Sequence, residues 1–384
     1  MKVIVGIPSL NEADSIAHVA ECLDQGIPRL RAHFPETEVI LVNIDSSSSD
    51  GTTERFLSAH VTRASREIVV VPGQPGKGKN LLALFRLAVE RRTSAIVTVD
   101  ADITSITDQW LSLLVSPILD GNTDLVVPHY ARSRYEGSTT NHFAFPLASS
   151  VAGFLVRQPI GGDFGISLKL ARVVLESVPP PGGEQYGIDL WLSLAAAMTG
   201  GRIASTHLGK KLHKPSFNKL VKMFPQIATC GISLLRQNVW RPGTADLLGS
   251  NYEISITADK MFRHECAARE MLVGATVDIR EQIAQRVSWI SERVAREVNQ
   301  LISQKTPPSA RLWSRLLANW VTFGLQEESN AISMAEQLLP FFVWRSVSFW
   351  FEVKTMMEDE IEHYLIFQTV AFHKELLRKN PAGV

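Results

Sequence analysis

Apolar runs at residues 2–7, 38–44, 67–71, 95–99 and 125–127 are spaced so that amphipathic stretches fall between the first four. Residues 12–23, 50–64 and 79–91 carry these helical patterns. Strands that alternate with helices specify an α/β sheet that is mostly parallel. The runs are almost wholly apolar, which is the pattern of strands covered on both faces. In sheets of this kind ligands collect beyond the carboxyl ends of the strands. Asn11, Glu12, Asp45, Lys77, Asp100 and Asp102 all lie just past such ends, and this predicts a single site.

Near residue 240 the pattern changes. Arg241-Pro242-Gly243 reads as a break, and strand signals vanish beyond it. Ile283, Val287, Ile290, Val294, Val298 and Leu301 recur at three- and four-residue spacing, a helical stripe. Residues 305–310, with Pro307-Pro308 at their centre, read as a loop before further helices. The expected organisation is an α/β domain over residues 1–240 and a helical domain over 241–384. A chain of 384 residues, 45% of them hydrophobic, can fill both cores.

Lys plus Arg equals Asp plus Glu at 39 each, without the basic excess of a nucleic-acid binder. An anionic ligand must then be held by a few placed groups. Cys22, Cys230 and Cys266 are odd in number and lack metal-type spacing, so they read as small buried hydrophobes in a reducing, cytoplasmic compartment. The apolar run at the start is interrupted too soon for a signal peptide. Residues 338–353 carry Pro340, Arg345 and Glu352 and fall short of the roughly 20 clean residues of a spanning helix. No transmembrane segment is expected.

Asp100-Ala101-Asp102 ends an apolar strand. Two carboxylates one residue apart can turn toward one hard cation, Mg²⁺ or Mn²⁺, which also binds a diphosphate. Asp102 or Thr104 could instead cap a helix over residues 107–114. The loop at residues 73–79 combines glycines, which let a ligand approach the backbone, with Lys77 and Lys79. It reads as a phosphate-binding loop or a solvated turn. It lacks the GxxxxGK[ST] pattern, and no GxGxxG follows the first strand, which disfavours a dinucleotide cofactor. His213, among basic residues, is a candidate third metal ligand, with His207 as its competitor. Glycine-rich segments at 159–165 and 182–189 precede a strand and a helix; Asp189 either caps that helix or faces a ligand.

Taken in order, IPSLNE (7–12), Asp45 with its serine-rich turn, PGKG (75–78), VDADIT (99–104), PHYARSR (128–134), QPIGGDFGIS (158–167), GIDLWL (187–192) and GKKLH (209–213) resemble the GT-A fold glycosyltransferases. More narrowly, the series resembles retaining enzymes that glycosylate glycerate or phosphoglycerate, the mannosylglycerate synthase and glucosyl-3-phosphoglycerate synthase families. The resemblance implies a GT-A α/β fold with a mixed, mostly parallel sheet and a C-terminal all-helical region. It implies that Pro8, Leu10 and Glu12 line a nucleobase pocket and that Asp45 meets base or ribose. Lys77 would lie near the diphosphate, Asp100 near ribose or sugar, and Asp102 and His213 on the metal. Gly162 and Asp163 would border the transferred sugar. Asp189 would lie between sugar and acceptor, forming the catalytic set with Asp100 and Asp102. Arg132 or Arg134, with Thr139 or Thr140, would hold the acceptor carboxylate. Two departures stand out: Asp163 replaces a glutamate, and GKKLH is one residue longer than GKxH.

The resemblance implies a divalent-cation-dependent, retaining transfer of glucose or mannose from a UDP- or GDP-sugar to D-glycerate or 3-phosphoglycerate. Another small polyol or a lipid-linked phosphate is the competing acceptor, and a nucleotide-sugar-binding regulator is the competing non-enzyme. The helical tail could cover an acceptor pocket or form a homodimer.

Overall fold

The computed structural model describes residues 1–214, 219–243, 247, 256–257, 265–326 and 329–380. In chain order the main elements are β1 (Lys2–Ser9), α1 (Ile16–His33), β2 (Glu38–Asp45), α2 (Thr52–Ser58), β3 (Ser65–Val70), α3 (Lys77–Glu90), β4 (Ala95–Thr98), α4 (Trp110–Leu119), β5 (Leu125–Ser133), α5 (Phe145–Ala152), β6 (Phe164–Ser167), α6 (Leu168–Glu176), α7 (Ile188–Met198) and β7 (Ile203–Lys210). There follow α8 (Leu220–Gln237), the two-residue β8 (Ile256–Thr257), α9 (Glu265–Ala284), α10 (Glu292–Ser303), α11 (Ala310–Gly324), α12 (Ala331–Glu352) and α13 (Glu358–Lys379).

The chain divides by packing into one unit of residues 1–130 and 158–217 and another of 131–157 and 218–384. This differs from a division at residue 240, because the segments 131–157 and 218–240 pack with the later helices. Neither segment carries a composition shift that marks it.

The first unit is built on a sheet of order β3-β2-β1-β4-β6-β5-β7. Neighbouring strands from β3 to β4 are parallel, and β6 runs antiparallel to both β4 and β5. Val3, Val5, Ile7, Val39, Leu41, Ala95 and Val97 are buried in its core, as strands covered on both faces require. Ile16, Val19, Ala20, Leu23, Ile27 and Leu30 form the buried face of α1, at three- and four-residue spacing.

One consequence of topology matters for the site. Because β6 is antiparallel to β4, with Phe164 opposite Thr98, the residues before β6 lie at the same end as the residues after β4. Gly162-Asp163 is thereby brought to Asp100.

The second unit is mainly helical. It contains the last residues of β5, where Arg132 and Ser133 pair with β8, a strand that lies beyond residue 240, where no strand is expected. A π-helical turn, Thr140–Ala144, leads into α5. The stripe from Ile283 to Leu301 is not one helix. Arg286 adopts a positive φ of 55° between α9 and α10, and the Ser291 hydroxyl restarts the helix by accepting from Val294 N. Helix α12 is buried along Leu338, Phe341, Phe342, Val347 and Trp350. Among the described residues, no helix is long and apolar enough to cross a membrane. None of the three cysteines is in a disulfide; Cys230 is buried, Cys22 half-buried and Cys266 exposed, so only Cys230 matches a fully buried hydrophobe.

Candidate active site

The loops after β1 and β2 bind each other. Asn43 Nδ2 donates to Ser9 Oγ at 2.7 Å, and Ser9 Oγ donates to Asp45 Oδ1 at 2.9 Å. Asp45 Oδ1 also accepts from Ser48 Oγ, and its Oδ2 accepts from Ser48 N at 2.7 Å. Asp45 is thus buried and holds its own serine-rich turn. Pro8 is buried beside it, Leu10 is exposed, and Glu12 pairs with Lys214 at 2.5 Å.

The two glycine-rich loops clasp one another. Gly78 N donates to Gln185 O at 3.1 Å, and Lys79 N donates to Glu184 O at 3.0 Å. A Cβ on Gly76 would stand 2.3 Å from Glu184 O, and one on Gly78 would stand 2.0 Å from Gly183 O. The glycines here permit contact between two backbones. Their closure carries Lys77, the first residue of α3, to Asp189 in the first turn of α7.

Around Lys77 a cluster of charges forms. Its Nζ lies 2.8 Å from Asp100 Oδ1 and 3.1 Å from Asp189 Oδ2. Lys211 Nζ lies 3.1 Å from Asp163 Oδ2, 3.6 Å from Asp100 Oδ2 and 2.6 Å from Gly161 O. Asp163 is fully buried; its Oδ1 accepts from Asp100 N at 2.8 Å, and its Oδ2 accepts from the Tyr130 hydroxyl. Gly162, at φ 96°, has no room for a side chain, since a Cβ would come within 2.3 Å of Asp100 Oδ2.

These contacts fix the protonation preferences. Burial opposes the Asp100 charge, but Lys77 and Lys211 outweigh it and hold the carboxyl well below the usual range. Burial likewise opposes the Lys77 ammonium, and Asp100 and Asp189 hold it above the usual lysine range. Burial pushes Asp102, Asp163 and Asp189 upward, and the Asp100 charge adds to each.

Asp100 therefore gives both oxygens to lysines, Oδ1 to Lys77 and Oδ2 to Lys211. Asp102 makes no ion pair with the described residues and accepts from the Lys214 backbone N–H. His213 is close enough to Asp100 for its charge to favour the carboxylate. His207 stacks on His129 with centroids 4.4 Å apart. Among the described residues no three His, Cys, Asp or Glu side chains are placed to hold a metal ion by themselves. Were Asp102 and His213 to hold a cation, the remaining positions would fall to ligand oxygens and water, the habit of Mg²⁺ at diphosphates. An upward-shifted carboxyl beside a second carboxylate is a donor whose charge a cation would offset, so the residues fit a divalent ion.

The other candidates lie in the second unit. Arg132 and Thr139 are half-buried, and Thr140 opens the π-helical turn. Arg134 is buried, donating to Val353 O at 2.6 Å and Met356 O at 2.8 Å, and it pairs with Glu358 at 3.2 Å. Its guanidinium braces the turn before α13. Lys211 and Tyr130 were not singled out from the sequence, although both stand in its motifs, as the second lysine of GKKLH and the tyrosine of PHYARSR.

The family model described as "Glycosyl transferase family 2" matches residues 4–167. A glucosyl-3-phosphoglycerate synthase of Mycolicibacterium smegmatis is 31% identical over 254 residues, covering 60% of this chain and 78% of the relative. Its counterpart from Mycolicibacterium paratuberculosis is 30% identical over 229 residues, covering 55% of this chain and 65% of the relative. Among solved structures, a mycobacterial protein shares 26% identity at a TM-score of 0.49, covering 63% of this chain and 76% of that one. The Mycobacterium tuberculosis glucosyl-3-phosphoglycerate synthase, solved with Mn²⁺, UDP-glucose and phosphoglyceric acid, shares 25% at 0.46, covering 63% and 81%. On the identity and coverage of the first relative, this chain is a glycosyltransferase and belongs to the GT-A fold family that includes the glucosyl-3-phosphoglycerate synthases.

Proposed function

We propose that the chain transfers glucose from a nucleoside-diphosphate glucose to 3-phosphoglycerate or a closely related hydroxy acid, with retention at the anomeric carbon and with Mg²⁺ or Mn²⁺ as cofactor. Two relatives at 30–31% identity bear the name glucosyl-3-phosphoglycerate synthase, which supports the sugar and the acceptor. The observation that carries the reading is the cluster of Asp100, Asp102, Asp163 and Asp189 around Lys77 and Lys211.

Four aspartates face two lysines there, so the cluster alone would repel a diphosphate. A divalent ion on Asp102 and His213 would remove that repulsion, and when bound it supplies charge to the departing diphosphate. Lys77 is a fixed ammonium that Asp100 and Asp189 aim from two sides. Asp189 Oδ1 is buried with no hydrogen-bond partner, an acceptor that a sugar hydroxyl would satisfy. Asp189 is tied to Lys77 through its other oxygen, which suits an orienting group more than a nucleophile. Retention then follows from attack of the acceptor hydroxyl on the face that the diphosphate leaves: the new C–O bond forms as the bond to the diphosphate breaks, and the hydroxyl proton passes to the leaving phosphate oxygen, with positioning and electrostatics providing catalysis. Arg132, Thr139 and Thr140 are proposed for the acceptor on the sequence resemblance. A cytoplasmic setting, where thiols stay reduced, suits three cysteines that form no disulfide.

The test is turnover of UDP- and GDP-linked glucose and mannose with Mn²⁺ against 3-phosphoglycerate and D-glycerate, followed by NMR of the product. Glucosyl transfer with an unchanged anomeric configuration is expected. Inversion, or a preference for mannose donors, would overturn those parts of the reading.

A further inference from the structure

We propose that Tyr130 is a positioning residue for the transfer reaction: through Asp163 it divides the charge of Lys211 between Asp163 and Asp100, and so holds Asp100 in the orientation that aims Lys77. The inference rests on the function proposed above.

Tyr130 is itself tightly held. Its backbone N–H donates to Gln158 Oε1 at 3.3 Å, and its carbonyl accepts from Gln158 Nε2 at 2.8 Å. Its ring is fully buried, 5.5 Å from that of Trp110. Two of its faces are used in the site: the hydroxyl donates to Asp163 Oδ2, and Lys211 Nζ lies 4.8 Å from the ring centroid. The ring favours a cation at that place, and the hydroxyl competes with the same cation for Asp163.

That competition decides where Lys211 sits. Asp163 Oδ2 receives both the tyrosine proton and Lys211 at 3.1 Å, while Asp100 Oδ2 lies at 3.6 Å from the same ammonium. Without the hydroxyl, Asp163 Oδ2 has lost a donor, and Lys211, already 3.1 Å away, is the cation placed to compensate. Moving Lys211 toward Asp163 lengthens its contact with Asp100. Asp100 has little tolerance for this, since Oδ2 packs against the side-chain-free Gly162 and Oδ1 holds Lys77. Lys211 Nζ is already engaged by Gly161 O at 2.6 Å and Asp163 Oδ2 at 3.1 Å, so its effect passes through Asp100.

The experiment compares the wild type with Tyr130→Phe, Lys211→Arg and Lys211→Met. The readouts are calorimetric binding of UDP with Mn²⁺, donor and acceptor KM, and Tm. Loss of an outer hydrogen bond at sites of this kind costs on the order of tenfold in affinity or activity. Tyr130→Phe is expected to weaken UDP binding and raise donor KM by about that factor, with acceptor KM and Tm nearly unchanged. Lys211→Met is expected to exceed it, and Lys211→Arg to recover part of the loss. Unaltered UDP binding and donor KM in Tyr130→Phe would overturn the positioning role alone. A joint rise of both KM values with a lower Tm would also overturn it, as general loosening. No binding of UDP, GDP or their glucose forms by the wild type would remove both the role and the function it rests on.

Discussion

Lys77 and Asp189, 112 residues apart in sequence, form an ion pair of 3.1 Å because the two glycine-rich loops that precede their helices bind each other through backbone hydrogen bonds. The pair ties the first turn of α3 to the first turn of α7. Lys77→Met should lower kcat/KM by roughly 10²–10³, the usual cost of removing one preorganised donor at a site of developing charge. It should also leave Asp100 and Asp189 mutually repelling, so KM for the donor should rise together with the fall in kcat. A variant with wild-type kinetics would show that this ammonium faces no substrate.

Asp102 is the carboxylate that the lysines leave uncompensated. Asp102→Asn should raise the Mn²⁺ concentration needed for half-maximal activity by about tenfold or more. Burial and the Asp100 charge hold the Asp102 carboxyl above the usual aspartate value. Protons therefore compete with the cation at a higher pH than for an exposed aspartate, and apparent Mn²⁺ affinity should fall as pH is lowered. A metal titration at several pH values measures this. Chelation with EDTA should likewise abolish any rise in Tm produced by a nucleoside diphosphate. Metal affinity independent of pH would argue against Asp102 as the ligand.

Much of the sheet was legible in the sequence for one reason. Strands buried on both faces have to be apolar throughout, so residues 2–7, 38–44 and 95–99 announced β1, β2 and β4 nearly to their ends. Strand β3, at the edge and mostly half-buried, was displaced by one or two residues because its burial imposes less pattern. The turn between α9 and α10 carried no glycine or proline, since Arg286 takes the positive φ that would ordinarily call for glycine. In the site, Asp100, Asp102, Lys77 and Asp189 were marked by their places after strands or before helices. Lys211 and Tyr130 were not, because their importance comes from contacts with residues 33, 48, 50 and 111 positions away and leaves no local signature. The glycines of residues 73–78 read as making room for phosphate or as a solvated turn, whereas Gly76 and Gly78 make room for Glu184 and Gly183.

That last difference is testable by adding one methyl group. Gly78→Ala would place a Cβ 2.0 Å from Gly183 O and 2.6 Å from the Glu184 carbonyl carbon. Both are backbone atoms, so the loops must separate, at a cost of about 1–3 kcal/mol. The expected result is a lower Tm together with reduced kcat, because Lys77 moves with its loop. Gly274→Ala is the control: its Cβ would meet nothing within 4 Å, and it lies within α9, so stability should hold or rise slightly.

Arg134 was a candidate for the acceptor carboxylate, and its contacts assign it a structural task within the second unit. Arg134→Ala would take the guanidinium from the carbonyls of Val353 and Met356, of which Val353 keeps the Met356 N–H, and leave Glu358 without its cation. Buried groups left in this way cost about 1–3 kcal/mol, and more when charged. Tm should fall clearly. An unchanged Tm with a raised acceptor KM would restore the role inferred from sequence.

Asp24 supplies a prediction for acid stability that is independent of the active site. It is buried on α1 and accepts from the backbone N–H groups of Thr62 at 3.1 Å, Arg63 at 2.8 Å and Ala64 at 2.9 Å, and from the Arg63 guanidinium at 3.1 Å. Burial acts to raise its carboxyl, but these donors together hold it below the ordinary aspartate value. A group whose folded-state value lies below its unfolded value stabilises the fold fully above the unfolded value. It loses that contribution as pH falls through the interval down to the folded value. Asp24→Asn keeps the shape but exchanges an anionic acceptor of three amides for a neutral one with a surplus donor. At neutral pH this should cost about 1.5–3 kcal/mol, the scale of hydrogen bonds to a charged group. The difference between wild type and variant should shrink below about pH 4, where an unfolded aspartate takes up its proton. Urea unfolding at neutral pH and at a series of acidic values measures the interval. A difference that stays constant across it would mean that the Asp24 charge contributes nothing to holding residues 62–64 against α1.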